Sequence, residues 1–362
     1  MQSDLKKAPR IPSLDGLRFL MCLGILVYHY SSNKFASANG FPPFPRFAYF
    51  TDVFFMLSGL FLARQNGSVC GLREYLNFLR SRLARIYPLH LVTTLVFLAV
   101  SALVGIGVLR LNAELRSDGA LLHILLVHAW GVKGASLSLN FVAWSLSALF
   151  ALYLVYPVLH RLVSRFRYAV IPALCCTLML LEYLVGLRGE PLTSAHQVDL
   201  GVLRALPSFV FGVWLAVVAT SKNTLWWTVI LGSVAGYFLF FWGGPLVGAV
   251  RLIALAAALY VVLQLDLHNV WTPLSHRRIS SLAKYGFGIY LLHPIVNSLV
   301  MYGVKYTAPN PSPASLWVGL LFSMAATLLL AMISYRTVEE PGRTLFMNLT
   351  ALLDRGRVKA PV

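Results

Sequence analysis

The chain of 362 residues is 58% hydrophobic with a mean hydropathy of +0.72. Its apolar runs recur at membrane-span length, which excludes a soluble globular domain. Lys and Arg number 30 against 13 Asp and Glu, a net charge of +17, but these charges sit mostly in loops between apolar runs, so membrane topology accounts for them and no nucleic-acid partner is expected.

The apolar runs predict spans at 17–33, 47–64, 87–108, 142–159, 168–187, 201–219, 225–243, 246–265, 283–303 and 315–336. The expected fold class is an all-α polytopic membrane protein of ten transmembrane helices. In this scheme one side carries 20 Lys and Arg and the other seven, so the positive-inside rule places both termini in the cytoplasm. A transmembrane domain over 1–345 and a basic cytoplasmic tail over 346–362 follow. Lys6, Lys7 and Arg10 ahead of an apolar run, with Ala36-Ser37-Ala38 beyond it, mimic a signal peptide. The sequence that follows is itself made of spans, so the first span is expected to be retained. The segment 109–141 holds a short apolar run, Leu121–Trp130, with His123 and His128. It is too short to cross and predicts a re-entrant or interfacial helix.

Within the first span, Arg18 and His29 are eleven residues apart. On an α-helix that spacing returns to within roughly 20° of one face after a rise of about 16 Å. Ionisable groups at such depth are costly and mark functional sites, although Arg18 can also snorkel to the headgroups and His29 can cap an outer loop. Arg204 and Arg251 also fall within spans. Asp52 opens the second span in Asp52-Val-Phe-Phe-Met-Leu-Ser58-Gly59, where a helix cap is the simpler role. Arg82 and Arg85 share a helix face as the third span begins. Basic residues there anchor topology, and guanidinium pairs also bind phosphate.

Trp144-Ser145-Leu-Ser147 lies at the outer end of the fourth span, where Trp144 also fits the interfacial aromatic belt. Tyr290-Leu-Leu-His293-Pro294 lies in the ninth, where a lone histidine is ordinarily a packing residue. Glu339-Glu340-Pro341 follows the tenth and reads as a helix terminator. There is no Gly-x-Ser-x-Gly elbow, Walker loop or His-Glu-x-x-His, and His196-Gln-Val-Asp199 matches no acyltransferase signature. The cysteines, Cys22, Cys70, Cys175 and Cys176, show no metal-ligand spacing, so no metal is expected.

Taken in order, these motifs resemble the bacterial membrane-bound acyltransferase family 3, typified by O-acetylases of lipopolysaccharide O-antigen and exopolysaccharide. The resemblance rests on Leu14-Asp15-Gly16-Leu17-Arg18 with His29, Asp52 to Gly59, Arg82-x-x-Arg85-x-x-Pro88, Trp144 to Ser147, Gly288 to Pro294, and Glu339-x-Pro341. It covers residues 14 to 341. One departure is Leu149, where the family usually carries a Glu two residues after the Trp-Ser-Leu-Ser motif.

The resemblance implies acyl transfer from cytoplasmic acyl-CoA, most often acetyl-CoA, to a hydroxyl of a glycan or glycolipid at the bacterial inner membrane. Acyl-CoA is then a donor substrate and no bound cofactor is expected. Arg18, Arg82 and Arg85 are expected to hold the CoA phosphates, His29 to act as general base and Asp52 to orient it. Ser58, Trp144 and Ser145 would line the acceptor or oxyanion region, with Tyr290, His293 and Glu339 as supports. The competing expectation is a glycolipid or small-anion transporter that uses Arg18 and His29 as a coupling pair. An inactive relative marked by Leu149 is a third.

Overall fold

The computed structural model describes residues 10–106, 119–133, 139–187, 189, 192, 201–218 and 225–357. His196 and Asp199 lie outside the described residues, as do 358–362 of the expected tail. The elements run α1 (Pro12–Ser31), α2 (Lys34–Ala38), α3 (Phe50–Asn66), α4 (Leu72–Gly105) and α5 (Ala120–Ile124). They continue with α6 (Trp144–Arg165), α7 (Val170–Gly186), α8 (Gly201–Val218), α9 (Leu225–Phe241) and α10 (Val247–Leu267). The last are α11 (Arg277–Ser280), α12 (Gly286–Thr307), α13 (Pro313–Ser334) and α14 (Glu340–Arg357). No strand occurs among the described residues, and the protein is an all-α polytopic membrane protein.

Every predicted span falls on one of these helices. By length and apolarity seven helical stretches among the described residues suffice to cross a membrane: those containing α3, α4, α6, α8, α10, α12 and α13. The apolar stretches of α7 and α9 are shorter, and α1, with Asp15, Arg18 and His29 in its 20 residues, stands outside that set.

Three elements differ from expectation. Helix α4 starts at Leu72, well before the apolar run, and has 34 residues. At 1.5 Å per residue that is about 51 Å, longer than the ~30 Å hydrocarbon core, so its basic first half continues the helix past the apolar segment. In the 121–130 run only one turn, α5, is helical before the chain turns at Leu125–Leu126. Pro341 does not end a helix. A π turn at Tyr335–Glu339, with the Glu340 N–H on the Tyr335 carbonyl, leads directly into α14. The wide turn falls where Pro341, having no N–H, interrupts an α ladder. Helix α14 then crosses the domain boundary expected at 345.

The described residues form two compact units. Unit 1 is drawn from residues up to 21, 46–68 and 155–284. Its core includes Leu14, Met56, Leu60, Leu215, Leu252 and Leu263. Helices α3 and α8 make its most extensive contact. Gly59 stands against the Phe209 carbonyl and Gly212 against the Met56 carbonyl, so closely that a Cβ at either position would collide with backbone. The glycine that closes the Asp52–Gly59 motif is therefore a helix-crossing residue. At the start of α1, the Ser13 N–H donates to Asp266 Oδ2 at 2.9 Å and supplies an otherwise orphaned donor with an anionic acceptor.

Unit 2 comprises 22–45, 69–154 and residues from 285 onward. Leu26, Tyr30, Phe41, Met301, Leu316 and Leu320 form a core cluster in it. Helix α12 packs along α13, and α14 along α4. The second half of α1 is fixed to α12 and α13 by polar contacts as well. Cys22 Sγ donates to the Gly286 carbonyl (3.2 Å), Asn297 Nδ2 to the Leu26 carbonyl (3.3 Å) and Tyr30 Oη to the Leu316 carbonyl (2.7 Å).

Candidate active site

These three contacts bracket His29 on α1 and set the direction of its side chain. The His29 ring stacks beside His293 of α12, with centroids 5.3 Å apart and planes 17° apart. Its other flank meets the edge of Phe141 at 4.8 Å and 75°. His29 is only partly buried, and among the described residues neither of its ring nitrogens is hydrogen-bonded.

His293 is fully buried, and its Nδ1 lies 3.2 Å from the Ile289 carbonyl in the preceding turn. A carbonyl only accepts, so Nδ1 carries the proton and Nε2 keeps a lone pair. That Nε2 is buried without a partner among the described residues. The following residue, Pro294, lies inside α12 and has no N–H to give the Tyr290 carbonyl. The His-Pro pair thus leaves backbone acceptors within reach of the imidazole.

Phe141 is held in place by the turn that precedes α6. Tyr290 Oη donates to the Val142 carbonyl (3.0 Å), Ser145 Oγ lies 3.1 Å from the same carbonyl, and the two hydroxyls are 2.8 Å apart. Two protons serve three contacts, so Ser145 and Tyr290 are occupied in fixing this turn to α12. Asn140, fully buried, adds a second tie through Nδ2 to the Leu291 carbonyl (3.1 Å) and leaves its Oδ1 buried and unpaired among the described residues. Ser147 fastens the neighbouring segment: it accepts from the Ala129 N–H (3.0 Å) and donates to the Leu126 carbonyl (2.8 Å). Trp144 is 4% exposed, so it is a packing residue of unit 2 rather than a belt residue.

Arg82 and Arg85 lie on the first half of α4 in unit 2, Arg82 half-buried and Arg85 exposed. Both act electrostatically on buried Tyr153, and the Arg85 charge also reaches Glu339 in the π turn. Glu339 is 9% exposed, with Oε1 unpaired among the described residues. The Glu-x-Pro motif thus stands within reach of the Arg85 charge.

The remaining candidates are in unit 1. Arg18 is engaged by Asp15 (3.5 Å) and the Ala283 carbonyl (3.3 Å), with its guanidinium 5.5 Å from the Phe61 ring centroid. Asp52, expected to orient His29, is bound by Arg204 of α8. Nη2 to Oδ2 is 2.9 Å and Nε to Oδ1 is 3.4 Å, with both residues buried. The arginine inside the sixth apolar run is thus the charge partner of the carboxylate that opens α3. Ser58 is half-buried on α3. No group of histidine, cysteine or carboxylate side chains among the described residues can hold a metal ion.

Sequence reasoning passed over Asn140, Phe141 and the Asp52–Arg204 pairing. An Asn ahead of a helix looks like an ordinary cap. A lone Arg in an apolar run does announce that a partner exists, without naming it.

Residues 11–336 match the acyltransferase family 3, described as an acyltransferase domain. The chain belongs to that family. Among curated proteins, this chain is 34% identical over 167 residues to Acyltransferase MdmB of Streptomyces mycarofaciens, a match covering 43% of the chain and 41% of the relative. The chain thus spans about two-fifths of the length of that relative. No solved structure matches. The family assignment and the apolar helices make it a multi-pass membrane protein of that family.

Proposed function

We propose that this acyltransferase is an O-acyltransferase of the bacterial inner membrane. It carries an acyl group, acetyl first among the candidates, from cytoplasmic acyl-CoA to a hydroxyl of a cell-surface glycan or glycolipid, with His29 as general base. The observation that supports this reading is the His29 imidazole itself. It is partly accessible, its nitrogens are unbonded among the described residues, and it is clamped between His293 and Phe141.

In the proposed step the acceptor hydroxyl oxygen attacks the thioester carbonyl carbon while its proton passes to His29. The resulting oxyanion collapses, the carbon–sulfur bond breaks, and His29 returns the proton to the departing CoA sulfur. His293 Nε2 and Asn140 Oδ1, both buried acceptors without partners among the described residues, suit the orientation of a hydroxyl or of the imidazolium that forms. Arg82 and Arg85 take the CoA phosphates through paired N–H donors. Asp52 is left out of proton transfer, because its carboxylate is already neutralised by Arg204.

The test is transfer of labelled acetyl from acetyl-CoA to membrane glycolipid or polysaccharide, with native, His29→Ala and Arg85→Ala proteins in reconstituted membranes. Native protein is expected to incorporate label, His29→Ala to lose it, and Arg85→Ala to raise the KM for the donor. No incorporation by well-folded native protein from any acyl-CoA, across a range of acceptors, overturns the reading and returns the weight to transport.

A further inference from the structure

Unit 1 contains a cavity of about 440 Å³ among α3, α7, α8, α9 and α10, inside the range of roughly 300–1,000 Å³ typical of small-molecule sites. We propose that it binds one hydrocarbon chain of an ester-linked membrane lipid. The proposal is independent of the acyl-transfer reading.

The wall is almost entirely carbon, with Met56, Leu174, Phe211, Leu252, Ile253 and Ala256 among its residues. The Trp214 indole that also borders it is already donated to the Arg167 carbonyl at 2.7 Å. Ordered water needs two to four polar partners and finds too few here. An empty space of this size would leave its lining without dispersion partners. Val218 and Leu231 at the border are 38% and 37% exposed on apolar helices, so bilayer hydrocarbon has access to the cavity.

Among the polar side chains of the wall, Ser208 narrows the occupant. Ser208 lines the cavity, is 2% exposed, and its hydroxyl makes no hydrogen bond among the described residues. A buried hydroxyl without a partner is costly, and an ester carbonyl at the head of an acyl chain would accept its proton. A largely apolar cavity with few polar side chains, and with the Ser208 donor unspent among the described residues, suits an acyl ester rather than a sugar or a nucleotide.

The test uses the full chain in phosphatidylglycerol vesicles that contain a phosphatidylglycerol with a diazirine in its acyl chain. After irradiation, adducts are mapped by peptide mass spectrometry. They are expected to concentrate on the wall, on Leu174–Leu178 and Ser208–Phe211. Ala256→Trp, which fills the cavity, is expected to lower that labelling about tenfold, as for a chain that loses its fitted site, while adducts on lipid-exposed Leu321 and Phe322 of α13 persist.

A second measurement avoids a folding defect. In Cys70→Ser, Cys176→Ser protein, a long-chain alkyl maleimide on the wall residue Cys175 should block the same labelling after folding, whereas N-ethylmaleimide should not. Wall labelling no stronger than that of exposed α13, and indifferent to both the Trp and the alkyl chain, would overturn the proposal.

Discussion

Two buried polar clusters, one in each unit, use similar residue types in opposite ways. In unit 1 the Asp52 carboxylate and the Arg204 guanidinium meet at 2.9 Å, and each charge answers the other. In unit 2 the His29 and His293 rings are stacked, and among the described residues the His29 nitrogens, His293 Nε2 and Asn140 Oδ1 make no hydrogen bond. A closed ion pair supports geometry but has nothing left for a substrate, whereas unpaired acceptors beside a partly accessible imidazole are equipped for one. The same contrast separates Ser145 and Tyr290, whose protons are taken by Val142 and each other, from His29, whose nitrogens are not.

The largest effects should split along this line. His29→Ala is expected to lower transfer by about 10²- to 10⁴-fold, the range for loss of a general base, with little change in thermal unfolding of the reconstituted protein. Asp52→Ala should do the reverse. Removing one partner of a buried pair costs about 3–5 kcal/mol, so the yield of folded protein should fall. The double variant Asp52→Leu, Arg204→Met should recover folding, since an apolar pair replaces the charges. Recovery of activity along with folding would fix Asp52 as a structural residue. A folded but inactive double variant would return it to the chemistry.

A smaller effect is expected within unit 1, where two glycines of α3 and its end are placed differently. Gly59→Val places a branched side chain against the Phe209 carbonyl at the α3–α8 crossing, and overpacking of this kind costs about 1–3 kcal/mol. Gly67→Val, at the end of α3 where nothing lies within 4 Å of the added Cβ, is strained only by its own backbone, at φ 56°. If close approach matters more than local strain, Gly59→Val should lower the midpoint of thermal unfolding further. Equal shifts would show that the crossing can spread.

The fold was legible to the extent that hydrophobicity alone carries it. Runs of span length marked where helices form, because a backbone in hydrocarbon must bond to itself. Charge obscured the rest. Leu72–Tyr87 is helical but too basic to register as a span, and Pro341 reads as a stop although a π turn at Tyr335–Glu339 carries the chain past it into α14. Within the candidate site, His29, His293, Tyr290 and Ser145 were marked by being polar in apolar surroundings. Their partners were not, since Asp52–Arg204 and Asn140–Leu291 each join residues some 150 positions apart, 152 and 151 in turn. No local period records such a pairing.

The smallest effect probes how firmly the turn before α6 is held. Tyr290→Phe removes one of the two protons directed at the Val142 carbonyl, but Ser145 Oγ, 3.1 Å away, remains to donate. The single variant should cost about 1 kcal/mol and reduce kcat only modestly, with the donor KM unchanged. Adding Ser145→Ala leaves the Val142 carbonyl buried without either hydroxyl, a penalty of about 1–3 kcal/mol. The two changes should therefore be more than additive, as expected for residues that share one acceptor. If they are, the hydroxyls act together on Phe141 and, through its edge contact, on His29. Additive losses would mean that Asn140 alone, through Leu291, keeps the turn against α12 and the His29 ring in register with His293.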